Sequence, residues 1–136
     1  MQKEMYKVSW LRFAKALNEL ITKIKAEKTA VFVGVIGIPR GGLVIAVCLS
    51  HKLGIPLANA AELEVGKNYL LADDVSDSGK QLRQWKDAIE KVVGEGKVMT
   101  ATLHWKAHTE LKPDFAADEV NKWIHYPWES YEQETE

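Results

Sequence analysis

Two adjacent aspartates, Asp73 and Asp74, close the apolar run YLLADD (69–74), and the polar loop Val75-Ser76-Asp77-Ser78-Gly79-Lys80 follows directly. Neighbouring carboxylates at the end of a buried strand repel each other and lose hydration, so they suit a hydroxyl-rich or metal-bound ligand better than an empty core. A ribose diol with magnesium is such a ligand. For a bare pair of acids the plainer reading, Asp73 capping a turn and Asp74 solvated, would be preferred; the residues flanking this pair decide against it. A second motif, Pro39-Arg40-Gly41-Gly42, follows the valine-rich run AVFVGVIG (30–37). Both motifs fall at expected strand-to-helix junctions, where free N–H groups and the positive end of a helix dipole point outward and glycine lets the backbone approach an anion. Each is a credible phosphate cradle. Gly79-Lys80 lacks a glycine five residues earlier, and neither loop has the GxGxxG spacing, so nucleoside triphosphate hydrolysis and nicotinamide binding lose ground.

The elements that must carry these loops follow from hydrophobic periodicity. From Ser9 onward Trp10, Phe13, Leu17, Leu20, Ile21 and Ile24 recur at three- and four-residue steps, which predicts an amphipathic helix capped by Ser9. AVFVGVIG (30–37) and YLLADDV (69–75) read as strands buried on both faces. LVIAVCLSHKL (43–53) reads as a helix ended by Gly54 and Pro56, and QLRQWKDAIEKVV (81–93) as a helix with Leu82, Trp85, Ile89 and Val92 on one side, stopped by Gly94 and Gly96. PLANAAELEV (56–65) is a weak strand candidate before the Gly66-Lys67-Asn68 turn, and VMTATLHW (98–105) a further strand. Beyond it, Pro113 and Pro127 predict irregular chain with at most a short strand near Trp123. The expected fold class is α/β, a mainly parallel sheet flanked by helices, with ligands bound beyond the carboxyl ends of the strands.

Composition sets bounds on the rest. A chain of 136 residues with 46% hydrophobic content fits one domain, 1–136, and a net charge of -1 provides no field for holding nucleic acid. Cys48, the single cysteine, lies between Val47 and Leu49 and reads as a buried thiol. No apolar stretch approaches the roughly 18 residues that span a bilayer, and no basic-then-apolar leader opens the sequence. A cytoplasmic protein without a membrane partner is expected. His51, His104, His108 and His125 form no metal-ligand spacing and read as surface or packing residues.

YLLADDVSDSGKQL (69–82) resembles the signature of type I phosphoribosyltransferases: an apolar strand, two acids, two spacers, then Asp-Thr-Gly-x-Thr. GVIGIPRGGLVIAVCLSHKLGIPL (34–57) resembles the pyrophosphate loop of that family and the helix behind it. KWIHYPWE (122–129) resembles the carboxyl-terminal hood of its bacterial and archaeal xanthine-guanine and hypoxanthine-guanine members, which sets the hood at about 106–129. The three matches keep the family's order.

The resemblance implies a transferase that joins a 6-oxopurine, guanine, xanthine or hypoxanthine, to the 5-phosphoribosyl group of phosphoribosyl pyrophosphate and releases pyrophosphate. In that reading Asp73 and Asp74 bind the ribose hydroxyls and magnesium, through water where needed. Ser76, Asp77, Ser78, Gly79, Lys80 and Gln81 wrap the 5-phosphate. Pro39, Arg40, Gly41 and Gly42 meet the pyrophosphate, Arg40 adding a permanent cation, with a cis peptide at Ile38-Pro39 or Pro39-Arg40. Asp77 stands near purine N7 as general base, and Arg40 and Asp77 are the two catalytic candidates. Trp123 stacks on the base, the Ile124 backbone reaches its 2-position, and Lys106 donates to the 6-oxo group. Trp128 and Glu129 anchor the hood. A homodimer or higher homo-oligomer is the expected assembly.

Two departures from the family pattern bear on activity. Only about ten residues, Ala60 to Tyr69, stand where the family carries a long loop that folds over the reaction, a length typical of a simple turn. Ser78 and Gln81 replace the two threonines of the phosphate loop, the serine keeping a hydroxyl and the glutamine offering an amide. The shortened loop favours a second possibility, a phosphoribosyl-binding sensor or regulatory protein with weak or no turnover. A third, an RNA-binding attenuator of the same fold, is opposed by the neutral charge and the purine-type hood.

Overall fold

The computed structural model describes residues 4–129. Four parallel strands form the central sheet in the order β2-β3-β4-β5: β2 (Phe32–Gly37), β3 (Asn68–Ser76), β4 (Val98–Trp105) and β5 (Phe115–Glu119). A separate parallel pair joins β1 (Met5–Lys7) to β6 (Trp123–His125). Among the described residues three α-helices flank the strands: α1 (Trp10–Lys25), α2 (Gly41–Leu53) and α3 (Lys80–Val93). The Ser9 hydroxyl accepts the Arg12 N–H at 3.1 Å and caps α1, as its sequence predicts.

Successive residues of a strand point to opposite faces, and β3 shows why its sequence is apolar throughout. Leu70 and Ala72 enter the core beneath α1 and α2, whereas Tyr69 and Leu71 enter the core beneath α3. The expected mainly parallel sheet with helices on both faces is thus the architecture observed. On α3 the buried stripe is Leu82, Ile89 and Val93; Trp85 is only partly buried, and Val92 is exposed. Leu82 and Ile89 are buried as expected, while Trp85 and Val92 border an apolar cavity with Ala60 and Leu63 instead of entering the core. Cys48 is partly rather than fully buried, packed against the α1–α2 core.

The weak strand expected at 56–65 contracts to one residue. Leu57 bridges Val35, with Val35 N–H donating to Pro56 O at 3.0 Å and Ala58 N–H to Val35 O at 2.9 Å. The chain then makes a single 3-10 turn, Ala60–Glu62, and returns to start β3. So α2 leads outward from β2 to Leu57 on one face, while α3 leads from β3 to β4 on the other. The connections change direction between β2 and β3. In parallel sheets this switch point is where a crevice opens beyond the strand ends, and the loops leaving β2 and β3 are the two motifs singled out above.

Candidate active site

Each loop is shaped by what its glycines allow. A Cβ on Gly41 would lie 2.0 Å from Asp74 Oδ2, so the amino end of α2 can sit against this carboxylate only because residue 41 has no side chain. Gly79 adopts φ +83, and a Cβ there would meet Thr109 Oγ1 at 2.4 Å and Leu111 N at 2.8 Å. It turns the chain from β3 into α3, where the Ser78 hydroxyl accepts the Lys80 N–H at 3.2 Å. The Pro39-Arg40 peptide is cis, one of the two bonds the sequence singled out.

These loops enclose a cavity of about 300 Å³ lined by Pro39, Arg40, Gly41, Asp73, Asp74 and the turn from Ser76 to Gly79, with Gln81 beyond. Gly42 and Lys80 stand outside the lining. Gly42 is buried and packs on the Ala72 carbonyl, and Lys80 is exposed. A second cavity of about 480 Å³ is lined by Asp77, Lys106, His108, Lys122, Trp123 and, at its rim, Glu4 and Asn121. Asp77 borders both. Trp123 is 57% exposed on this cavity, whereas Ile124 is buried in the core and is not part of the lining.

The acid pair is electrostatically loaded. Burial pushes the Asp73 carboxyl up to about 8, and the adjacent Asp74 charge adds to the effect. Burial likewise raises Asp74. Asp73 Oδ1 accepts the Asp74 N–H at 2.9 Å and Asp74 Oδ1 the Val75 N–H at 2.7 Å, so both side chains are held in place while their charge is left for something else to neutralise. Hard carboxylate oxygens of this kind fit magnesium, and because the described residues contain no group of three or more potential ligands, ligand oxygens and water would have to complete its shell.

Asp77 differs. Burial raises its carboxyl, but hydrogen bonds and charge from His108 and Lys106 outweigh this and hold it below the usual aspartate range. Lys106 Nζ lies 3.5 Å from Oδ2, and His108 Nε2 lies 2.6 Å from Oδ1. His108 lies at the surface, as its sequence suggested, but its contact with the Asp77 carboxylate was not foreseen.

The hood is tied to the site from behind. The Tyr126 hydroxyl donates to the Asp74 carbonyl at 3.1 Å and so accepts from His104 Nδ1 at 2.9 Å, which fixes the neutral tautomer of His104, whose imidazole burial pulls down to about 4. Glu129 Oε1 accepts the Tyr126 N–H at 2.8 Å, and Trp128 stacks flat on Tyr126 with ring centroids 4.8 Å apart. Tyr126 and His104 were not among the sequence candidates. An isolated aromatic and a histidine carry no signal until the strand ends come together.

Comparison with known proteins agrees with this arrangement. The family model for the phosphoribosyl transferase domain matches residues 58–135. The chain belongs to this family. It is therefore a phosphoribosyltransferase, an enzyme of the glycosyltransferase class. It is 26% identical to a xanthine-guanine phosphoribosyltransferase of Idiomarina loihiensis, over 91% of this chain and 86% of that protein. A purine phosphoribosyltransferase of Pyrococcus horikoshii superposes with a TM-score of 0.84 at 30% identity, covering 93% of this chain and 95% of the other. The xanthine-guanine-hypoxanthine phosphoribosyltransferase of Helicobacter pylori shares the fold, with a TM-score of 0.85 at 18% identity over 97% and 98% of the two chains. Among the described residues of this phosphoribosyltransferase, no helix is long and apolar enough to cross a membrane.

Proposed function

We propose that this phosphoribosyltransferase transfers the 5-phosphoribosyl group from phosphoribosyl pyrophosphate to a 6-oxopurine. The observation that carries the reading is Asp77, placed where the cavity of acids and phosphate-loop amides meets the cavity of Lys106 and Trp123. A sugar in the first and a base in the second would bring the anomeric carbon and the purine nitrogen together at that junction. Asp73 and Asp74 would hold the ribose hydroxyls and magnesium, and a bound magnesium would supply the positive charge that the leaving pyrophosphate requires. Ser76 to Gln81 would bind the 5-phosphate through backbone amides and the Ser78 hydroxyl, and Arg40 with Pro39 and Gly41 would meet the pyrophosphate. Lys106 is a donor on the same carboxylate that faces purine N7, so the pair matches the adjacent O6 and N7 of an oxopurine and would meet the amino group of adenine with the wrong polarity.

The short Leu57-to-Asn68 segment, a single 3-10 turn where a lid would stand, supports a second reading in which the site binds the phosphoribosyl group with little turnover. Chromatographic detection of nucleoside monophosphate from oxopurine, phosphoribosyl pyrophosphate and magnesium separates the two. Nucleotide formation that Asp74→Asn abolishes supports the transferase. Calorimetric binding with no nucleotide formed supports the sensor.

A further inference from the structure

His108 lies on a turn that the fold clamps to the loop carrying Asp77. Thr109 N–H donates to the Lys106 carbonyl at 3.0 Å and closes the turn, with His108 third of its four residues. The turn is pinned to the phosphate loop at its first residue and just past its last: Lys106 N–H donates to Ser76 O at 3.0 Å, and Glu110 N–H to Ser78 O at 2.9 Å. The Ser76 and Thr109 hydroxyls pair at 2.8 Å, and Ala107 N–H is bound by Asn121 Oδ1 at 2.8 Å. The backbone, not a chance rotamer, thus brings the imidazole to the carboxylate. The two side chains are 66% and 52% exposed, and an exposed pair of this kind contributes little to stability. Its geometry is better explained by the site it borders.

We propose that His108 is the positioning residue for Asp77, its ring N–H gripping Oδ1 so that Oδ2 stays turned toward Lys106 and the imidazole edge of the purine. This deepens, and rests on, the oxopurine reading of the same site. With one oxygen held by His108, the carboxylate has one orientation rather than several when the base arrives, and the free lone pairs of Oδ2 face the N7 proton. The other charged groups of this cavity are Lys106, Lys122 and Glu4, and Lys122 is paired with Glu4 at 3.4 Å. Among the described residues, only Lys106 shares the carboxylate with His108.

The test uses the full chain with His108→Ala, which removes the donor, and His108→Gln, whose amide nitrogen restores one at the same reach. Steady-state rates on an oxopurine are measured together with the carbon-13 titration of the Asp77 carboxyl. The loss of one charge-assisted hydrogen bond at a half-exposed site is expected to lower kcat about tenfold in His108→Ala, with KM for phosphoribosyl pyrophosphate unchanged and most of the rate recovered in His108→Gln. The Asp77 titration should move up in His108→Ala and return part of the way in His108→Gln. A His108→Ala enzyme with wild-type kcat and an unmoved Asp77 titration overturns the proposal, as do equal losses of rate and melting temperature in both variants. If the wild type turns over no oxopurine while the Asp77 titration still moves, the positioning contact stands and the oxopurine reading fails.

Discussion

Replacing Asp73 by asparagine should stabilise the protein in the absence of magnesium and ligand. The raised Asp73 carboxyl binds its proton more tightly in the folded than in the unfolded chain, so the stability it contributes is fully present below its unfolded value of 3.8 and is lost as pH climbs through about 8. At about 1.4 kcal/mol per unit, such a shift bounds the penalty at pH 8 at about 6 kcal/mol. The proton is shared with Asp74 and the cleft admits water, so we expect about 2 kcal/mol. Asparagine removes the charge and keeps an Oδ1 to accept the Asp74 N–H. At about 4 °C per kcal/mol, Asp73→Asn should melt roughly 8 °C above wild type at pH 8 in chelator, with the difference closing by about pH 4. Saturation with magnesium and phosphoribosyl pyrophosphate should reverse the order, because a ligand at a hundredfold its Kd adds about 2.7 kcal/mol to the form that binds it. Thermal melts monitored by circular dichroism at both pH values, with and without ligand, measure all four quantities. A variant no more stable than wild type at pH 8, or a gain of equal size at every pH, would refute the electrostatic account of the pair.

Further outcomes follow from the same geometry. Gly79→Ala forces an alanine into φ +83 against the backbone of Leu111, and should lower stability by about 2–5 kcal/mol in urea unfolding. Tyr126→Phe leaves the Asp74 carbonyl and His104 Nδ1 without their partner and should cost about 1–3 kcal/mol by the same assay. Trp123→Ala, at a largely exposed position, should leave melting unchanged while raising KM for the base roughly 5- to 150-fold, since base-aromatic stacking contributes about 1–3 kcal/mol. His104, held neutral, adds stability that is present above 6.5 and lost as pH falls toward 4, so a His104→Gln variant should flatten the acid limb of wild-type stability.

How much of this was legible in the sequence depends on how far apart the cooperating residues lie. Strands β2, β3 and β4 are buried on both faces, so their apolar runs identify them without knowledge of their neighbours. Strand β5 was missed because FAADE (115–119) is an edge strand, with Asp118 and Glu119 exposed, and β1 because three residues carry no period. The acid pair and the two glycine-containing loops are contiguous motifs, so each is legible by itself. His108 is not: its role requires the turn after β4 to fold back on Ser76 and Ser78, a pairing across 31 residues. The short segment before β3 was readable from length alone, since ten residues cannot both cross the sheet and form a lid.

The central claim, one cleft with sugar and base meeting at Asp77, is tested most directly by steady-state pyrophosphate release from phosphoribosyl pyrophosphate and magnesium with guanine, hypoxanthine, xanthine or adenine, for wild type and Asp77→Asn. The account predicts turnover of an oxopurine and not of adenine, with kcat about 10²- to 10⁴-fold lower in Asp77→Asn at similar substrate affinity. A preference for adenine, or an Asp77→Asn enzyme as fast as wild type, would contradict it.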